Sequence, residues 1–193
     1  MQKKPKSDLV KLTVTLGLIT LFTAGILALV NFFTAPKIEQ INREKLEQAM
    51  TAVMPGAASF EDMTQTVRAK WESDVTLSGV QCAKNDSGEV IGYCIQVQPK
   101  GYSDVIDMMV GLNAQGEILD SSIISISDTP GIGTQVETDP EFAAQFKGRS
   151  DTVTPGEAGI TLISGATYSS GGFTNGINAA LTAYRILTEE AAA

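Results

Sequence analysis

The hydrophobic and polar positions divide the chain into three stretches of different rhythm. Leu12 to Val30 contains no charged residue, and its only polar side chains are threonines. At 1.5 Å per residue such a run is about 28 Å long as a helix, close to the ~30 Å of bilayer hydrocarbon, so it predicts one membrane-spanning helix. From Pro36 to Met50 the pattern becomes amphipathic. Ile38, Ile41, Leu46 and Met50 recur at helical spacing among Lys37, Glu39, Arg43, Glu44, Lys45 and Glu47, and Met54-Pro55-Gly56 supplies a stop. This second helix is read as a stalk, kinked at Pro36, that docks on the domain after it.

Beyond the stalk the rhythm changes to short β-rich runs. Val75 to Cys82, Val90 to Val97, Val105 to Leu112 and Ile118 to Ile126 alternate with turn sequences, of which Asn85-Asp86-Ser87-Gly88 and Asn113-Ala114-Gln115-Gly116 are the strongest. They predict an antiparallel meander of about four strands, with Gly159 to Ile163 as a further buried strand. Glu141 to Phe146, opened by Asp139-Pro140, reads as a short helix, and Phe173 to Leu187 carries helical spacing. The expected class is α+β: a transmembrane helix over 12–33, a stalk helix over 34–55, and a domain over 56–193 in which helices flank a meander. Residues 1–11 form a separate basic segment.

Charge sets the orientation of this arrangement. Lys3, Lys4, Lys6 and Lys11 stand against Asp8 before the apolar run, so the N-terminus is expected in the cytoplasm and the domain outside, at a cytoplasmic (inner) membrane. A cleaved signal peptide fits less well, because Phe33-Thr34-Ala35-Pro36 is a weak exit and the apolar core is too long. No cysteine stands at the end of the run, which argues against a lipoprotein anchor. Residues 12–193 hold 10 basic and 21 acidic residues, a balance that argues against nucleic acid and anionic lipid headgroups as partners of the domain.

Little of the usual catalytic chemistry is available. The chain has no histidine, so there is no Ser-His or Cys-His pair, and two cysteines alone do not complete a metal site. Cys82 and Cys94 lie on the two arms of the first hairpin with the same parity, so both can face one side of the sheet. They read either as a disulfide or as two small buried hydrophobes. Asp104 and Asp107 are a carboxylate pair, but nothing in the sequence brings them to a substrate.

Two stretches stand out instead. Ser164-Gly165-Ala166-Thr167-Tyr168-Ser169-Ser170-Gly171-Gly172 is small, hydroxyl-rich and uncharged, and it lies between the expected strand and the last helix. Thr167 reads as an N-cap, with Ser169 and Ser170 as further capping candidates. Alternatively the stretch places a helix N-terminus where an anion is favoured. Ser127 to Thr134, with Pro130, Gly131 and Gly133 around Thr129, reads as a shaped loop, either a turn closing a strand or a ligand-facing element.

Together these stretches resemble the FMN-binding domain family found in the G subunit of the Rnf ion-translocating electron-transport complex and in the C subunit of the sodium-translocating NADH:quinone reductase. The resemblance runs from the basic N-terminus and single anchor through Thr34-Ala35-Pro36-Lys37-Ile38 and Lys100-Gly101-Tyr102. It ends in two motifs, Asp128 to Gly133 for Glu-Thr-Pro-Gly-Leu-Gly and Ser164 to Thr167 for Ser/Thr-Gly-Ala-Thr. Of the two complexes the Rnf type looks the closer.

The resemblance implies FMN held by a phosphoester to Thr167, attached by a separate flavin transferase that uses FAD. Gly165 and Ala166 then leave room for the phosphate, and Ser164, Tyr168, Ser169 and Tyr102 join the site. Asp128, Thr129, Gly131 and Gly133 are expected to line the isoalloxazine, with Thr129 as a hydrogen-bonding side chain and the glycines permitting close approach. The activity implied is electron relay within a membrane complex of several subunits that couples electron flow to Na⁺ or H⁺ movement. The chain departs from the family pattern at Asp128, where Glu is usual, and at Thr161, where an acid recognised by the transferase is usual. A non-redox reading, a membrane-anchored assembly module, predicts no flavin at all.

Overall fold

The computed structural model describes residues 6–156 and 159–191, so the first five residues of the basic N-terminal segment lie outside it. The first helix, α1, runs unbroken over Lys6–Val53 with Pro36 inside it. The chain divides into two compact units, Met1–Glu44 and Lys45–Ala193.

Among the described residues of the first unit the large apolar side chains lie exposed. Leu12, Phe22 and Phe33 are each about 70 % exposed (71 %, 72 % and 69 %). The polar groups of the same stretch are satisfied within the helix: Thr15, Thr20 and Thr23 donate to the carbonyls of Lys11, Leu16 and Ile19. A segment that exposes hydrocarbon and hides its hydrogen-bonding groups suits lipid as solvent.

The second unit is built on a five-stranded antiparallel sheet in simple meander order: β1 (Ser59–Asp62), β2 (Thr76–Lys84), β3 (Val90–Gln98), β4 (Ile106–Asn113) and β5 (Ile118–Ile126). The four strands read from the sequence are present, displaced by no more than two residues at their ends. The two expected turns share one construction. The side-chain oxygen of Asn85 accepts the N–H groups of Ser87 and Glu89, and that of Asn113 accepts those of Gln115 and Glu117. Gly88 and Gly116 close them at φ of 80° and 85°, a region open to glycine without strain.

One sheet face is covered by α5 (Thr167–Ala191), with Phe173, Ile177 and Leu181 buried against Ile95, Met108, Val110 and Leu112. Phe142, Phe146 and Phe173 pack as a trio with ring centroids 5.3 to 5.5 Å apart. Phe142 belongs to α4 (Pro140–Ala144), which Asp139 caps by accepting from the N–H groups of Glu141 and Phe142. Two one-turn helices complete the unit, α2 (Thr64–Arg68) and α3 (Gln135–Thr138). On the other face the C-terminal turns of α1 place Ala49 and Val53, followed by Met54, over Ala83, Cys94 and Met109. A Cβ at Gly111 would collide with the backbone and side chain of Val53, so this part of α1 sits directly on the strand.

Three expectations are corrected. Gly159 to Ile163 is not a strand. Its Ile160 is buried, but its backbone is held by a side chain: Thr161 N–H donates to Gln145 Oε1, and the Gln145 amide donates back to the Thr161 carbonyl. The fifth strand is Ser59–Asp62, an edge segment paired to β2 alone. Second, α5 begins at Thr167, six residues before the apolar spacing starts, so Thr167 to Gly172 is helix rather than loop. Third, Cys82 and Cys94 do not share a face. The register pairs Cys82 with Tyr93 and Gln81 with Cys94, which turns the two thiols to opposite sides despite their equal parity. Both are free and buried, and burial pushes the Cys94 thiol up to about 12.

Candidate functional site

Where β5 ends and α5 begins, three segments meet around Asp128. This carboxylate is 5 % exposed. It accepts hydrogen bonds from the N–H groups of Tyr102 (3.2 Å) and Ser103 (2.7 Å) and from the Ser169 hydroxyl (2.6 Å). Burial pushes its carboxyl up, but the Ser169 hydroxyl and the N–H groups of Ser103, Tyr102 and Asp104 outweigh that and hold it below the ordinary value of 3.8.

The glycines nearby are explained by this carboxylate. A Cβ at Gly133 would lie 2.5 Å from Asp128 Cβ and 2.9 Å from Ser169 Oγ, and one at Gly101 would lie 2.7 Å from Asp128 Oδ2. One at Gly172, in the second turn of α5, would strike the Lys100 carbonyl. Gly131 and Gly165 differ, since a Cβ at either would meet nothing within 4 Å. They are required by conformation, at φ of 75° and 84°.

In front of this knot lies a cleft of about 320 Å³ lined by Tyr102, Thr129, Ile132, Gly133, Gly165, Ala166, Tyr168 and Ser169. The Tyr102 and Tyr168 rings are 5.8 Å apart, tilted by 58°, and exposed by 64 % and 74 %. Ile132, at 50 % exposure, adds an apolar edge. The cleft therefore offers exposed aromatic and apolar surface beside polar backbone, the composition expected of a site for a flat, largely apolar ligand.

The structure brings most of the sequence-derived residues together here and separates a few. Tyr102, Thr129, Gly133, Gly165, Ala166, Tyr168 and Ser169 line the cleft. Asp128 lies behind it, Gly131 shapes the turn leading into α3, and Ser164 faces a neighbouring groove with Gln145 and Thr161. Thr167 is exposed between the lining residues Ala166 and Tyr168, and its hydroxyl makes no hydrogen bond among the described residues. Ser169 and Ser170 are buried and committed, to Asp128 and to the Ala166 carbonyl. Sequence reading missed Ile132, whose only signal is an apolar residue between two glycines in an exposed loop, and Ser103, which acts through its backbone.

The start of α5 adds an electrostatic feature. Its first helical bond runs from Ser170 N–H to the Ala166 carbonyl, leaving the N–H groups of Thr167, Tyr168 and Ser169 without internal partners. Such a terminus favours a bound anion. The anion-favouring helix start and the aromatic cleft both fall within residues 101–182, which match the family description of the FMN-binding domain; residues 1–53 match the RnfG N-terminal region.

The relatives give the particular family. The chain is 31 % identical over 195 residues to the G subunit of the Na(+)-translocating ferredoxin:NAD(+) oxidoreductase complex of Acetobacterium woodii, covering 93 % of each chain. It is 29 % identical to the G subunit of the ion-translocating oxidoreductase complex of Methanosarcina acetivorans, over 90 % of this chain and 93 % of that one. The chain belongs to the family of G subunits of ion-translocating oxidoreductase complexes. Among solved structures, Shewanella oneidensis NqrC aligns with a TM-score of 0.45 and 21 % identity, over 72 % of this chain and 73 % of that one. With the apolar stretch of α1, family membership makes this a membrane-anchored subunit.

Proposed function

We propose that this chain carries FMN, joined by a phosphoester to Thr167, as an electron-transfer subunit of an ion-translocating ferredoxin:NAD(+) oxidoreductase complex. The observation that carries the reading is the position of Thr167: an exposed, uncommitted hydroxyl at the first turn of α5, on the rim of an aromatic cleft. The residues present fit the group. The free N–H groups of Thr167, Tyr168 and Ser169 suit a phosphate, Gly165 keeps the approach open, and Tyr102, Tyr168 and Ile132 suit an isoalloxazine.

When bound, the flavin supplies reversible electron uptake and release. The chain's own residues hold and orient it. Thr167 fixes one end, Thr129 offers a hydroxyl at the cleft, and the two tyrosines present their rings to it. Residues 12–33 are read as the membrane span, 34–55 as the stalk and 56–193 as the working domain. The lysines before the span support a reading with the N-terminus in the cytoplasm and the domain beyond the inner membrane. Partners are the other membrane subunits of the complex and, during maturation, a flavin transferase.

The test is the full-length chain produced with and without a flavin transferase, denatured and resolved on a gel. Fluorescence that stays with the polypeptide only when the transferase is present supports the reading, and its survival in Thr167→Ala overturns the assignment to Thr167. Absence of fluorescence even with the transferase favours the assembly-module alternative.

A further inference from the structure

Asp128 is the most buried ionisable group beside the cleft, and the proposed function gives it no task. It is separated from the cleft only by residues in van der Waals or hydrogen-bond contact with it: Ser169, which donates to it at 2.6 Å, and Gly133, packed on its Cβ. Its three partners lie on two other segments, with Tyr102 and Ser103 in the β3–β4 connection and Ser169 on α5, while Asp128 itself follows β5. Both tyrosines of the cleft are thus reached through it. Tyr102 donates its own N–H to the carboxylate, and Tyr168 precedes the serine that does.

We propose that Asp128 is a positioning residue for the flavin site: its carboxylate touches no ligand, but it fastens the Tyr102 wall to the α5 wall and places a fixed negative charge behind the cleft that lowers the reduction potential of a flavin held there. The inference rests on the reading that a flavin occupies this cleft. The charge is fixed because its donors select the ionised form, consistent with the depressed titration of the group. Its effect follows from proximity, since a buried charge is screened little and opposes any net negative charge gained by a neighbour on reduction. The start of α5 acts with the opposite sign, favouring negative charge at Thr167, so the two ends of the cleft are electrostatically unlike.

The experiment uses the full-length chain in detergent, loaded with flavin by a co-produced transferase and, separately, without flavin. Asp128→Asn removes the charge and half of the acceptor capacity. It is expected to raise the flavin midpoint potential and to speed amide exchange at Tyr102 and Ser103 in both preparations. Ser169→Ala keeps the charge with one donor fewer, so it is expected to move the potential the other way. Asp128→Glu keeps the charge and is expected to stay nearer the parent potential than Asp128→Asn.

An unchanged potential in Asp128→Asn overturns the electrostatic role, and unchanged exchange overturns the fastening role. If Asp128→Asn does not fold, Ser169→Ala decides alone, a raised potential being the overturning result. A parent chain that takes up no flavin from the transferase sinks the proposed function instead, and exchange in the flavin-free chain still decides whether Asp128 holds the walls.

Discussion

At Asp128 a carboxylate is 5 % exposed and held by donors at 2.6 to 3.2 Å; at Thr167 a hydroxyl is exposed and bonded to nothing among the described residues. Both residues belong to short, glycine-bearing motifs of similar look, and both stand beside the same cleft. One motif is organised inward, with Gly133 small so that the chain can close on the acid. The other is organised outward, with Gly165 small because φ must be positive, leaving the nearby threonine in the open. Glycines in a motif therefore signal two different needs, room for the protein to close on itself and a backbone with positive φ. Only the contacts of a hypothetical Cβ tell them apart.

The largest expected effect is at the outward motif. Thr167→Ala is expected to abolish covalent flavin with little change in stability, whereas Ser170→Ala, in the same helical turn but bonded to Ala166, should keep the flavin. In-gel fluorescence and a melting curve on each variant check this pair. Loss of flavin in Ser170→Ala with retention in Thr167→Ala would reverse the contrast.

Next comes the inward motif. Gly133→Ala forces a methyl onto Asp128 and Ser169 and is expected to destabilise the domain by about 2 to 3 kcal/mol, the upper range for overpacking. Gly131→Ala meets no atom but must hold φ near 75°, at a cost of about 1 kcal/mol. Chemical denaturation of both variants measures the difference, and equal losses would mean that the close packing on Asp128 is not what Gly133 serves.

The smallest effect is a pH dependence. The folded pKa of Asp128 is depressed below 3.8, so its stabilisation is present above that value and is lost as pH falls through the folded pKa. Asp62 is depressed in the same direction, chiefly by the Thr64 hydroxyl that donates to it, and contributes with the same sign. Melting temperature should therefore fall from about pH 5 toward about pH 3, and less steeply in Asp128→Asn. An identical slope in that variant would assign the acid loss to other carboxylates.

Four strands of the meander were legible because each is a run rich in apolar and β-forming residues, and two of the turns carry an Asn at the position whose side chain closes them. β1 escaped notice because Ser59-Phe60-Glu61-Asp62 is a polar edge strand, with only one neighbour to satisfy and little to bury. Gly159 to Ile163 misled for the converse reason. Its apolar residues pack inward as a strand's do, but a single glutamine side chain takes the hydrogen bonds a neighbour strand would have taken. The early start of α5 was hidden because Gly171 and Gly172 look like a turn, and the Lys100 carbonyl that forbids a side chain at 172 lies far off in sequence.

Periodicity, charge and local turn chemistry are properties of neighbouring residues. They were enough to establish an apolar span with basic residues before it, a meander domain after it, and two glycine-bearing loops of open purpose, which only their resemblance to the motifs of the FMN-binding domain turned into a flavin site. Which hydroxyl stands free, which face each cysteine takes and whether an acid meets ligand or protein depend on register and on contacts between distant segments. Cys82 and Cys94 have equal parity in sequence and opposite faces in the sheet, because the pairing sets Cys82 beside Tyr93. Asp128 and Ser169 are 41 residues apart and share a 2.6 Å hydrogen bond, and that bond exists only once β5 and α5 have packed.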